Sequence, residues 1–292
     1  MDKLLKSISA NGHFRAFALD STDTVREAQL RHQTMPSSTV ALGRTLIAAQ
    51  ILAANEKGNT KITVKIIGDG AMGALLAVAD SSGNAKGYVQ NTDLDYKRIS
   101  TGEVIVGSLV GNGSMVVIKD LGLGQPYSGQ VDLITGEIGD DLAWYFLSSE
   151  QTPSSVGLAV ELFEGKDDVK SAGGFMLQAL PGATDEEITT MEQHIQDLPA
   201  LSTFFNSEAQ QPLDLLLSAL YGDLDYKILS ESPLQFSCDC SKERFAAGIA
   251  SLGNKEITDM IEEDHGAEII CQFCNRRYFF TEKELNDIIL ND

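Results

Sequence analysis

Cys238-Asp239-Cys240 and, thirty residues further on, Cys271-Gln272-Phe273-Cys274 hold every cysteine in a chain of 292 residues. The spacing is C-x-C followed by C-x-x-C. Two close pairs on separate segments can bring four thiolates to one Zn2+ at about 2.3 Å each, and C-x-x-C suits a tight turn whose two sulfurs face one ion. The residues leave three chemistries open. A static zinc fold would contribute on the order of 10–16 kcal/mol to a domain of roughly sixty residues with a small core. A redox sensor would use the same thiolates, each close pair being able to close on itself as a disulfide that binds zinc poorly. A thiol oxidoreductase would need an exposed thiol of low pKa, and a thioredoxin-type C-x-x-C should open a helix in a βαβ unit. Here AEII leads into CQFC and RYFF leads out of it, so a knuckle between strands is expected. His265, six residues before Cys271, is the one spare candidate ligand, and four cysteines already complete a tetrahedron.

Bulk properties narrow the setting. The formal charge is −20 and the pI about 4.5, a balance that phosphate backbones repel, so nucleic acid is excluded as a general partner. Mean hydropathy is −0.06 and prolines number 7, consistent with a globular chain of two domains rather than a disordered one. The N-terminal MDKLLKSISANGHFRAF lacks an apolar signal core. The most apolar stretch, VALGRTLIAAQILAA, contains Arg44 and Gln50 and is too short and too polar to span a membrane. A cytoplasmic protein is expected, where thiols stay reduced and clustered cysteines serve metal or redox sensing.

Along the chain, HFRAFALD reads as a strand covered on both faces, STDTVREAQLRHQT as a helix capped by Ser21 or Thr22 and ended by Pro36, and SSTVALGRTLIAAQILAANEK as a long buried helix. KITVKIIGDG is a strand, and ALLAVAD-SSGN-AKGYVQN is a hairpin turning at Gly83 and Asn84. SMVVIKDLG and GQVDLITG continue as strands, DDLAWYFLSSEQ is a helix carrying Trp144, and SVGLAVELF and AGGFMLQAL are two more strands. Segregated helices beside antiparallel hairpins predict an α+β fold. GDGAMG, Gly68 to Gly73, matches a dinucleotide fingerprint but is followed by a strand instead of a helix, so a tight turn is expected. His13, His32 and His194 are scattered and form no catalytic arrangement, and no phosphate-binding loop of the G-x-x-x-x-G-K-[ST] type occurs.

After residue 177 the character changes. Thr184 and Glu187 form a capping box before a helix with Ile188, Met191, Ile195 and Leu198 on one stripe, and PLDLLLSALYG reads as a second helix. Residues 184–232 carry ten acidic groups, Glu208 among them, against Lys227 alone. This is either a solvated connector or a pair of helices that need a surface to pack on. SKERFAAGIASL and NKEITDMIEED are read as helices, the latter stopped by Gly266, and Thr281 and Glu284 cap a last helix. The expected organisation is a mixed α/β domain at 1–177, a helical acidic linker at 178–232, and a four-cysteine zinc-binding domain at 233–292.

CDC and CQFC with FCNRRYFF, the acidic TDEEITTMEQHI, and the N-terminal VALGRTLIAAQIL, IIGDGAMGALLAVAD and GYVQN together resemble the redox-regulated 33 kDa heat-shock chaperone family, over essentially the whole chain. The resemblance implies a cytoplasmic holdase that needs no ATP and is not an enzyme. It implies that Cys238, Cys240, Cys271 and Cys274 bind one Zn2+ per chain in an inactive reduced state. It further implies that oxidation forms Cys238–Cys240 and Cys271–Cys274 disulfides, releases zinc, unfolds the linker and allows homodimerisation and binding of unfolding client proteins. The competing reading from the residues is an adaptor or binding module with a permanently structural zinc.

Overall fold

In the computed structural model, Phe14–Asp20 is a strand whose side chains are buried on both faces. Phe17 and Leu19 enter one core, while Phe14, Ala16 and Ala18 enter another, as the alternation of a strand covered twice requires. The structure describes residues 1–94, 104–122, 124–205 and 211–291; Glu208 of the acidic segment and Asp292 at the C-terminus lie outside them.

The chain forms two compact units, Met1–Ser237 and Cys238–Asp292. The first runs β1 (Lys3–Ser9), β2 (Phe14–Asp20), α1 (Thr22–His32), α2 (Pro36–Asn55), β3 (Lys61–Gly68), β4 (Ala74–Asp80), β5 (Asn84–Val89), α3 (Gly107–Val110), β6 (Gly113–Asp120), β7 (Tyr127–Asp132), α4 (Gly139–Ser148), β8 (Ser154–Leu162) and β9 (Val169–Ala179). It continues through α5 (Asp185–Gln196), a 3-10 turn at Leu201–Thr203, α6 (Pro212–Tyr221), β10 (Tyr226–Pro233) and β11 (Gln235–Phe236). The second unit holds α7 (Lys242–Ala250), α8 (Asn254–Glu262), β12 (Gly266–Ile270), β13 (Arg277–Thr281) and α9 (Glu282–Asn291).

Two sheets make the first unit, one in the order β10-β1-β2-β9-β8 and one in the order β11-β5-β4-β3-β6-β7. Every pairing is antiparallel except β11 with β5. Between the sheets lies α2, touching β3, β4 and β5 of one and β8 and β9 of the other. It is buried along nearly its whole length, the expected fate of a helix that is apolar all round. At 20 residues it is longer than its apolar stretch suggested; length and composition would let it cross a membrane, but 89% of its 18-residue apolar window is buried within the fold.

Proline and glycine punctuation departs from expectation at two points. Helix α1 ends in left-handed Gln33, and Pro36 opens α2 at its first turn, where a missing N–H costs nothing. Gly266 begins β12, α8 having already ended at Glu262. Gly68–Gly73 is the β3–β4 turn. Gly70 N–H donates to the Val110 carbonyl at 3.0 Å and Met72 N–H to the Leu109 carbonyl at 2.8 Å. A Cβ on Gly68 or Gly70 would run into those carbonyls, so close backbone approach explains these two glycines without a nucleotide.

The acidic helices are no solvated connector. Leu213, Leu216, Leu217, Leu220 and Tyr221 of α6 are completely buried, and Met191 of α5 is 3% exposed. They share a second core with Leu5, Phe14, Ala16, Ala18, Phe175 and Leu177, on the face of the five-stranded sheet that α2 does not cover. The capping box forms, Glu187 N–H donating to Thr184 Oγ1 at 3.3 Å and Thr184 N–H to Glu187 Oε2 at 2.8 Å. Glu187 also meets His13 Nδ1 at 2.9 Å and Asn11 Nδ2 at 3.0 Å, tying α5 to the β1–β2 turn. Three strands absent from the sequence reading appear: β1, β10 and β11. β10 lies along β1, and β11 then crosses to the other sheet beside β5.

Candidate metal centre

The second unit is built around a small core of Ile249, Ile257, Phe280 and Leu285. β12 and β13 form an antiparallel hairpin, Gly266 opposite Thr281 through Ile270 opposite Arg277. Cys271 and Cys274 occupy its turn. Cys271 N–H donates to the Arg276 carbonyl at 2.9 Å, and the Asn275 and Cys274 N–H groups donate back to the Cys271 carbonyl at 2.8 and 3.3 Å. Asn275 takes a positive φ of 58°, which asparagine tolerates better than most residues. The turn buries both sulfur-bearing residues and aims them to one side, the expected knuckle.

Cys238 and Cys240 arrive on the segment between β11 and α7. Ser241 caps α7 by accepting from Arg244 N–H at 3.2 Å, while Arg244 Nη1 holds Asp239 at 2.9 Å. The intervening residue of C-x-C thus carries a salt bridge while its neighbours reach the knuckle. Tyr278 of β13 donates from its hydroxyl to the Cys240 carbonyl at 2.9 Å, and the same oxygen lies 3.2 Å from Cys240 Sγ. Its ring packs on Phe245 at 5.1 Å between centroids. Thr281 and Glu284 cap α9, and Lys242 of α7 reaches the Glu284 carboxylate.

All four sulfurs lie within 4.8 Å of one another. Cys238 Sγ is 3.8 Å from Cys271 Sγ, and Cys240 Sγ is 3.3 Å from Cys274 Sγ. Sulfurs at about 2.3 Å from a central zinc sit about 3.8 Å apart in a regular tetrahedron, so this donor set fits one soft or borderline cation. Both of these approaches run between the two pairs. His265 is not part of the cluster; it takes a positive φ and its Nδ1 meets Glu282 at 2.8 Å.

The thiols are unequal. Burial works against ionisation of Cys240, but hydrogen bonds from the Tyr278 hydroxyl and the other three thiols outweigh it and hold its pKa down to about 7. Burial pushes the Cys238 and Cys274 thiols up. A divalent ion held there would displace thiol protons and take all four sulfurs as thiolates.

The fold is that of an α+β protein whose second unit carries a four-cysteine cluster able to hold a metal ion. The family model described as Hsp33 protein matches residues 2–281. The 33 kDa chaperonin of Lactococcus lactis subsp. cremoris is 68% identical over 289 residues, covering 99% of this chain and 100% of that protein. The 33 kDa chaperonin of Streptococcus agalactiae is 60% identical over 99% of this chain and 98% of its own length. The crystal structure of the 33 kDa chaperonin from Thermotoga maritima superposes with a TM-score of 0.91 at 31% identity, covering 99% of each chain. The chain belongs to the Hsp33 family, a family of chaperones rather than enzymes.

Proposed function

We propose that this chain is a cytoplasmic, ATP-independent holdase switched on by oxidation, with Cys238, Cys240, Cys271 and Cys274 as both ligands and sensors for one Zn2+. The observation that carries the reading is the four-sulfur cluster, in a unit whose own core buries four hydrophobic residues with partly buried ones around them. When bound, zinc supplies the folding free energy that so small a core lacks.

Oxidation acts on the cysteines. Two thiolates of a close pair give up two electrons to one peroxide, which takes up two protons from solvent, forming one S–S bond and two waters. Two peroxides convert the four ligands into Cys238–Cys240 and Cys271–Cys274. A disulfide sulfur has no thiolate to offer, so the second unit loses its metal ligands together.

The consequence passes down the chain. Ser237, bonded through its N–H to Ala85 at 2.8 Å, immediately precedes Cys238. Upstream lie β11, β10 and α6, within the proposed linker at 178–232 and its exit. The ten acidic groups of 184–232 repel one another, so α5 and α6 stay down through their apolar stripes. Once released, they uncover Leu5, Phe14, Ala16, Ala18, Phe175 and Leu177, an apolar face suited to unfolding clients and to a second copy of the chain.

The test is light scattering from a denaturing client, without ATP, using reduced and then peroxide-treated protein. Suppression only after oxidation supports the switch. Peroxide that changes neither zinc content nor suppression would make the site a static structural zinc.

A further inference from the structure

We propose that the edge of β1 bared when β10 departs is a docking site for extended client backbone, which adds to the five-stranded sheet as a strand. This rests on the holdase reading and names the surface that holds the client.

β10 occupies that edge now, and how it does so reveals what the edge recognises. It pairs with β1 over seven register positions, from Lys3–Pro233 to Ser9–Tyr226. Yet Lys227 through Glu231 are all exposed, with Ile228 at 45% and Leu229 at 47%. The register slips between Lys6 and Ser7, leaving Leu229 bulged and without a partner. β10 is therefore held through its backbone, with almost no reading of its side chains, and an unfolded protein of any sequence can supply the same extended backbone. β1 does not depend on β10 for its own place. Its other edge pairs with β2 over six positions, and Leu4 and Leu5 are anchored in the two cores. After β10 leaves, β1 stays as a formed edge with unpaired N–H and C=O groups.

Exposure of this edge is coupled to the acidic helices. The Tyr226 ring at the start of β10 stacks on Tyr221 of α6 at 4.8 Å, and its hydroxyl lies 3.0 Å from Ser218 Oγ. These contacts are the main side-chain anchor of β10, and they go when α6 goes. The bared edge then borders the bared apolar face through Leu5, so a bound strand can pair its backbone with β1 and lay alternate side chains on that face. In the resting protein the outer edge of β10 is a poor template, since it carries a bulge, Lys227, Glu231 and a terminal proline. The tethered β10 competes with a bound client, so its return on reduction would expel the client.

Hydrogen exchange of the full chain, read on peptides covering 3–9 and 226–233, tests this beside aggregation suppression in the same samples. Oxidation should speed exchange in both segments by at least about tenfold. Added denatured client should then restore protection to 3–9 but not to 226–233. Suppression with 3–9 still unprotected, or with 3–9 never losing protection, overturns the proposal alone. So does protection of 3–9 that returns without client as protein concentration rises, since a second copy would then hold the edge. Absence of suppression after oxidation overturns the holdase reading and this proposal with it.

Discussion

Replacing Leu217 by alanine isolates the docking of α6 as the restraint on activity. Leu217 is completely buried in the second core, which is distinct from the larger core around α2. Truncating a buried leucine costs the lost transfer free energy plus a cavity term, about 2–5 kcal/mol. Because the main core is untouched, that cost falls on the contact between α6 and the sheet. At about 1.4 kcal/mol per decade it enlarges the undocked population roughly 30-fold to several thousand-fold. The assay pairs hydrogen exchange across 212–221 with client aggregation, using reduced, zinc-loaded protein and no oxidant. The expected result is faster exchange in α6, unchanged exchange in β3 and β6, and partial suppression of aggregation before any peroxide is added. Faster exchange in a protein that still fails to suppress would mean that α6 docking is not the restraint. Unchanged exchange would refute the packing argument itself.

Cys271→Ser should lose zinc under competition by a chelator that wild type withstands, because three thiolates and a hydroxyl make a poorer set; zinc retention equal to wild type would remove the four-cysteine centre. Peptide mapping of fully oxidised protein should find Cys238–Cys240 and Cys271–Cys274, whereas Cys240–Cys274 as the main product would show that the 3.3 Å approach between the pairs governs the chemistry. Glu187 gives a pH dependence. Thr184 N–H and then His13 hold its carboxyl below the ordinary value of 4.5, so its contribution to seating α5 is present above about that value and lost as pH falls through the depressed one. Proteolysis between 185 and 196 in reduced protein should therefore accelerate in acid for wild type and be fast already at neutral pH for Glu187→Gln.

Elements set by local chemistry were legible in the sequence, and those set by distant partners were not. The capping boxes at Thr184/Glu187 and Thr281/Glu284, the knuckle at Cys271–Cys274 and the turn at Gly68–Gly73 each need residues within a few positions of one another. β1 and β10 escaped because neither shows a period of two. Leu4 and Leu5 are adjacent and both buried, one in each core, while β10 exposes its two consecutive aliphatic residues, Ile228 and Leu229. Its strand is made by a ladder to residues more than two hundred positions away, which no local window contains. The acidic segment was ambiguous for a related reason. Counting charge over 184–232 averages away the positions of Leu213, Leu216, Leu217 and Leu220, whose spacing of three and four is the stripe that α6 buries. Charge and stripe act on different states: the stripe holds the helix on its sheet, and the charge favours the released chain. A segment that must leave its surface as well as cover it needs both.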